Sequence, residues 1–358
     1  MKRTPNLRRS FAFALAAVAT AGAAWASEVT KVEHQSIPAS GHVKIENLAG
    51  SLEVRQGTGG AIEVEAKIHA EGRSAEETQR LLAAMAWREE RGSWVLTYPV
   101  DDYDAFAYPD GGDSWWNDTN SRYRGTRVRI YGTAKRGVPV LFADVTVTVP
   151  AGADLALRNV VGSVRGGDLV ADLGIDTGSG DAKFGRLAGQ IDVDTGSGDV
   201  LIDAVDGSLK VDTGSGEVKI GEVAVDRLDV DTGSGNVWIG KGRADDARLD
   251  TGSGDITIQA VAVVDAVADT GSGDVRLAGD LSRTRRLKVD TGSGDVEIAG
   301  GEGFEFDLDT DLGSGDVRVD YDDATLRYER REVVGATRGS GRSRILVDTG
   351  SGDCTLRP

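Results

Sequence analysis

The chain has one cysteine in 358 residues, three histidines, seven prolines and few aromatics, 6% in all. A single thiol excludes an internal disulfide. With histidine only at His34, His42 and His69, the sequence offers no metal-ligand cluster, and it carries no nucleophile elbow and no phosphate loop. After the first 26 residues no stretch approaches 18 consecutive apolar residues, which excludes a membrane-spanning helix. Positive charge is also short: 41 Lys and Arg stand against 58 Asp and Glu, for a net charge of −17. That balance argues against nucleic acid and anionic membrane as partners, since both select basic patches, and suits solubility, cation binding or a basic partner.

What is abundant is a hexapeptide. Asp-Thr-Gly-Ser-Gly-Asp or a close variant begins at Asp176, Asp194, Asp212, Asp231, Asp250, Asp269, Asp290, Asp311 and Asp348. The spacings are 18, 18, 19, 19, 19, 21, 21 and 37 residues, a period that signals stacked repeats. Counting from the first Asp, positions +6 and +8 are apolar, as in Val218/Ile220 and Val296/Ile298, and so are −3 and −1, as in Leu228/Val230. The residues between them are mostly polar or charged, such as Lys219 and Asp229. Alternation at period two marks half-buried strands, so each unit reads strand, Gly-Ser-Gly turn, strand and corner. Two short strands cannot bury their inner faces alone. Stacked about 4.8 Å apart they can, which predicts an all-β fold: a single-chain parallel β-solenoid with coils of 18–21 residues. Glycines at +2 and +4 are expected to supply backbone conformations closed to other residues.

In chain order, residues 1–26 read as a signal peptide. Lys2, Arg3, Arg8 and Arg9 precede an apolar stretch from Phe11 to Ala24, and Ala24-Trp25-Ala26 forms a cleavage site. Its removal takes away four positive charges and no negative ones, leaving −21. Export to the periplasm, the cell surface or the medium follows. Residues 27–139 are expected to hold the solenoid start and a cap, and 140–358 the repeat domain. Within the first part, Ser74 with Glu77 forms a capping box, and Ala75–Arg91 reads as a short amphipathic helix covering a solenoid end. Trp94–Val100 and Arg127–Tyr131 read as strands. Between them the acidic insertion 101–126 carries Tyr103, Phe106, Tyr108, Trp115, Trp116 and Tyr123. Those rings can stack on a sugar or a partner, or fold back onto the solenoid flank. Near the other end, the arginine-bearing turn 337–342 marks a longer or distorted coil. Cys354 fills a +6 slot, where a small buried hydrophobe belongs.

The first chemistry to consider is the acids. Asp194, Asp212, Asp231 and Asp250 would stack in one row, and Asp199, Glu217 and Asp255 in another. Close carboxylates repel unless solvated, bonded to turn amides or bridged by cations, and calcium prefers such oxygen ligands. Turn capping is the main reading, with no metal; calcium at these seven residues is the alternative. The units are similar to the glycine- and aspartate-rich nonapeptides of calcium-binding toxin repeats, but occur once per coil where that family has two. An enzyme is the remote alternative, in the manner of polysaccharide-active β-helices. A catalytic site should be a local exception to the repeat, and here every coil carries the same acids. Rows of Thr (+1) and Ser (+3) could order water, although they sit beside charged Asp.

The Thr-Gly-Ser-Gly-Asp-Val units, the Asn-x-x-Gly-Ser-Val variants and the Val147–Leu155 segment resemble a bacterial family of β-strand repeat proteins. The family is one of unknown function that often carries an adhesin label, and the resemblance covers roughly residues 30–358. It implies a β-solenoid at the cell envelope with no catalytic motif and no cofactor. The chain departs from it at 101–126 and 337–342. The expectation is therefore a non-enzymatic, exported scaffold or adhesion module whose partner is a protein or polysaccharide of the envelope.

Overall fold

A computed structural model describes residues 29–109 and 118–358. The signal segment and Trp115 and Trp116 lie outside the described residues. The repeats form the expected solenoid: Ala182–Thr195, Val200–Thr213, Val218–Thr232, Val237–Thr251 and Ile256–Thr270 pair in parallel, one rung on the next. Equivalent residues meet, so Asp194 pairs with Asp212, and Asp212 with Asp231. Where the spacing first grows from 18 to 19, the register shifts between Gly207 and Ser208. One bulge absorbs the extra residue and keeps every later apolar side chain inward. Val211, Val218, Ile220 and Val223 are each buried, and full burial of such a side chain is worth about 1.5–3 kcal/mol. Cys354 joins the same column, and burial pushes its thiol up to about 12.

Each Gly-Ser-Gly turn is stitched to its neighbours by the +1 threonine. Thr251 is buried, donates its hydroxyl to the Gly235 carbonyl of the preceding rung at 2.8 Å, and accepts the Gly254 amide at 3.1 Å. The same pair of bonds recurs at Thr213, Thr232, Thr270, Thr291 and Thr349. The threonine row therefore faces inward and cannot order water on an outer face. The turn glycines are required for two reasons, and the sequence suggests one of them. At Gly50, Gly162 and Gly180, the first three +4 positions, φ is positive. In the later rungs the constraint is space: a Cβ on Gly235 would collide with the Gly216 carbonyl oxygen, and one on Gly254 with that of Gly235.

The rungs do not stack in chain order at the ends. The rung of Asp290 (Arg286–Thr291, Val296–Ala299) pairs with the C-terminal segment Ser343–Thr349 and Cys354–Arg357. Only beyond that segment comes the Asp311 rung. The C-terminal repeat is thus inserted beneath its predecessor. Residues 320–342 are not a distorted coil but an antiparallel outer layer, with Thr325–Glu329 and Glu332–Arg338 folded over Phe306–Leu312. Arg327 ties that layer down through Asp307 at 2.6 Å and Asp309 at 2.5 Å. Leu312, the one copy without threonine at +1, occupies the last rung and has no hydroxyl to donate back to the turn before it.

The other end follows the same plan. The first rung, His42–Ala49 with Leu52–Gly57, pairs with Ala153–Val161 and Val164–Gly166 on one side. On its other side lie Ser93–Leu96 and Val140–Pro150. Residues 29–38 and 58–152 form the cap: Val29–Pro38, Ala61–Glu71 and Val140–Pro150 make an antiparallel sheet. The helix runs over Ala75–Ala84 and buries Leu81 and Leu82. Ser74 accepts the Glu77 amide at 3.2 Å, while the Glu77 carboxylate takes the Arg73 amide at 2.6 Å and its guanidinium at 2.7 Å. The expected extension to Arg91 fails because Trp87–Glu90 pairs back on Ser93–Leu96. Arg91 (φ 50) and Gly92 (φ 82) form the left-handed turn that such a hairpin favours. Tyr98 closes the buried polar ladder, donating to the Asn47 side chain at 2.9 Å and the Ala49 carbonyl at 3.0 Å. Asn47 and Asn159 take the threonine's place in these first rungs.

Candidate functional site on the outer face

Two acidic rows run along the stack, and they differ. In the +5 row Asp181, Asp199, Asp255, Asp274, Asp295 and Asp353 each accept the amide of the next rung's +5 residue, Asn236 does the same with its side-chain carbonyl, and Glu217 does not. Asp199 Oδ1 takes the Glu217 amide at 2.9 Å, and Asp255 Oδ1 takes that of Asp274 at 2.9 Å. Capping of this kind satisfies a backbone donor that no strand partner reaches. The first-Asp row has no such bonds. Asp194 and Asp250 have their pKa raised, first by burial and then by the charges of Asp176 and Asp212, or Asp269 and Asp231. Among the described residues no group of three or more His, Cys, Asp or Glu side chains converges as a metal site.

The uniformity breaks at position −2. The outward row at −2 reads Lys44, Ala156, Gly174, Asp192, Lys210, Asp229 and Arg248 along the stack. Ala156 and Gly174 are too short to fill it, and a groove opens there. It comprises two adjoining depressions of about 370 and 430 Å³ that share His42, Gly174, Asp192 and Lys210. His42 Nδ1 lies 2.7 Å from Asp154 Oδ1. Arg158 stands 3.5 Å from Asp176. The groove thus alternates cations and carboxylates above a floor of Ile45, Leu157 and Ile175. Such a surface can hold an extended polar chain through many weak hydrogen bonds. The upward shift at Asp194 does not mark a catalytic acid, because Asp250, three rungs on and outside the groove, is raised in the same way.

The aromatic candidates lie elsewhere. Phe106, Tyr108 and Tyr123 are buried, and Tyr103 is partly buried against the core with its hydroxyl 3.2 Å from Glu77. Tyr98 meets Phe106 and Tyr123 at centroid distances of 6.1 and 5.7 Å. The described rings of the insertion hold the cap together and do not present a stacking platform. Of the expected calcium ligands, Asp194 alone lines the groove. Sequence reading misses the groove, although Gly174 signals it: the −2 position carries Asp, Lys or Arg in the next four rungs.

Residues 138–357 match the family described as Toastrack DUF4097. No curated relative matches the sequence. Among solved structures, the chain is similar to a candidate lipid-binding protein of Parabacteroides distasonis at 11% identity, with 90% of this chain and 96% of that one covered and a TM-score of 0.37. A candidate adhesin of Bacteroides fragilis gives 12% identity, 91% and 97% coverage and a TM-score of 0.30. A candidate cell-adhesion protein of Clostridium sporogenes gives 9%, 92% and 99%, and 0.18.

Proposed function

We propose that this chain, which belongs to the Toastrack family DUF4097, is a non-enzymatic scaffold or adhesion module of the cell envelope. The observation that carries the reading is the groove at Gly174, where short side chains interrupt an outward row that the next four rungs fill with charged residues, leaving a depression shaped to hold a partner. Its mixed charge and open form suit an envelope polysaccharide or an extended peptide. Export through residues 1–26, with release to the periplasm or surface, belongs to the same proposal. The acidic rows act as turn caps and a solvated face; calcium binding there is the second reading, favoured by the mutual repulsion in the first-Asp row, which Lys210 and Arg248 only partly offset.

The test is a variant that restores the repeat. Gly174→Lys copies Lys210, two rungs on, and fills the groove; its Cβ would meet nothing closer than Ala156 Cβ at 3.7 Å, an ordinary contact. Binding of the purified protein to isolated envelope glycans and extracted peptides is compared by biolayer interferometry. Retention by wild type and loss of about tenfold or more in Gly174→Lys, at equal melting temperature, supports the groove. Equal binding by both proteins rejects it, and release of new reducing ends from the glycan rejects the non-enzymatic reading.

A further inference from the structure

A net charge of −17 hides a basic surface. Between residues 118 and 136 the chain has six cations and a single carboxylate, Asp118. Thr119–Tyr123 and Thr126–Tyr131 form an antiparallel hairpin on the N-terminal cap. Tyr123, Val128 and Ile130 point inward and are buried. The alternate residues therefore point out: Arg122, Arg127 and Arg129, followed by Tyr131. Arg122 and Arg127 are cross-strand partners, both exposed. Like charges directly opposite one another destabilise a hairpin, and among the described residues neither has an ion-pair partner. Arg129 is shared with Asp118 at 3.2 Å, and Lys135 lies 4.0 Å above the Tyr131 ring. At the tip, Arg124 holds a left-handed backbone (φ 53) and pairs with Glu90 of the neighbouring hairpin, which fixes the patch to the cap.

We infer that the outer face of this hairpin is a docking surface for a polyanionic polysaccharide. Charge complementarity selects the anion: a pair of unneutralised arginines in fixed cross-strand register is an arrangement that an incoming acidic group stabilises. The rest of the molecule selects the kind of anion. A flat anionic membrane or a densely charged duplex would also meet the acidic rows, which repel it. A slender glycan with spaced carboxylates or sulfates can lie along Arg127 and Arg129, about 7 Å apart on one strand, without reaching those rows. The hairpin does not line the groove at Gly174, so the two surfaces fail or succeed independently.

Dextran sulfate and polygalacturonate serve as probes, with neutral dextran, anionic phospholipid vesicles and duplex DNA as comparisons. Wild-type protein is expected to bind the two acidic glycans and not dextran, with affinity falling as salt rises. The double variant R122Q/R127Q is expected to bind them about tenfold more weakly while melting no lower than wild type, since it removes a repulsive pair. A control, K183Q/K219Q, takes two cations from the solenoid flank and should leave binding unchanged. Undiminished binding by R122Q/R127Q, equal loss in the control, no binding of either acidic glycan, or tighter binding of vesicles or DNA each overturns the proposal.

Discussion

The middle of the stack and its two ends solve the same problem by opposite means. Interior rungs are nearly interchangeable: their turns meet through the same threonine hydroxyl and the same close approach of glycines, and most through a +5 carboxylate as well. At the ends nothing is interchangeable. The terminal repeats of the chain are tucked one rung inside, and an excursion of unique sequence closes over each. Tyr98 ends the polar ladder at one cap, and Leu312 ends it at the other. Repetition builds length cheaply in sequence terms, but an open sheet edge invites further pairing, so a bounded rod needs residues that the repeat does not contain.

The largest break in this comparison comes from deleting residues 343–358. Were the repeats stacked in chain order, that deletion would shave an outermost rung. In the observed order it removes an inner one, paired on both sides. Residues 300–342 are then expected to lose their protection in limited proteolysis while the rungs up to Asp290 keep theirs. Continued protection of 300–342 would show that the Asp311 rung docks directly on the Asp290 rung and that the inserted order is not needed.

Next in size is a glycine pair. Gly235→Ala drives a Cβ into the Gly216 carbonyl between rungs that cannot part, and should cost about 4 kcal/mol or prevent folding. Gly303→Ala, in the loop below the C-terminal cap, meets nothing within 4 Å and should change stability by less than about 0.5 kcal/mol. Equal effects in chemical denaturation would mean that stacking distance does not dictate the turn sequence.

These contrasts explain how far the sequence alone reaches. Strand positions, the inward columns and the parallel stack are legible because an apolar residue at +6 or −1 can face only inward in any rung. Rung order is not, since the turn at Thr349 fits the turn at Thr291 as well as it would any other; Leu312 is the single sign that a later copy lies at the edge. The helix expectation overruns to Arg91 because Arg91-Gly92, a hairpin turn, sits where a helix tail would. The insertion's aromatics are ambiguous by nature, as alternation in a short hairpin does not say which face is covered. The groove turns on one glycine, and the basic hairpin vanishes in a sum over 358 residues.

The smallest effects lie in the acids, and they separate stack from cap by sign. Asp194 and Asp250 have folded pKa values above the ordinary 3.8, so their contribution is fully present below that value and lost as pH rises through the folded pKa. The stack should therefore gain stability as pH falls from 7 toward 4. The cap runs the other way. Arg73 holds Glu77 at about 2. Burial raises Asp144, but the His69 ring and the Ser51 hydroxyl and amide outweigh it and leave it at about 2 as well. Their contribution is present above pH 4.5 and disappears as pH falls toward 2. Hydrogen exchange across that range should show the cap opening first in acid, with Glu77→Gln flattening its loss and D194N/D250N raising the neutral-pH melting temperature by about 1–2 °C. The same row decides the question of calcium. Repulsion among exposed carboxylates is screened by any salt, so calcium, magnesium and sodium matched for ionic strength should move the melting temperature alike. A rise of many degrees with calcium alone would require sites bound only in the folded state, and would turn the acidic rows from caps into ligands.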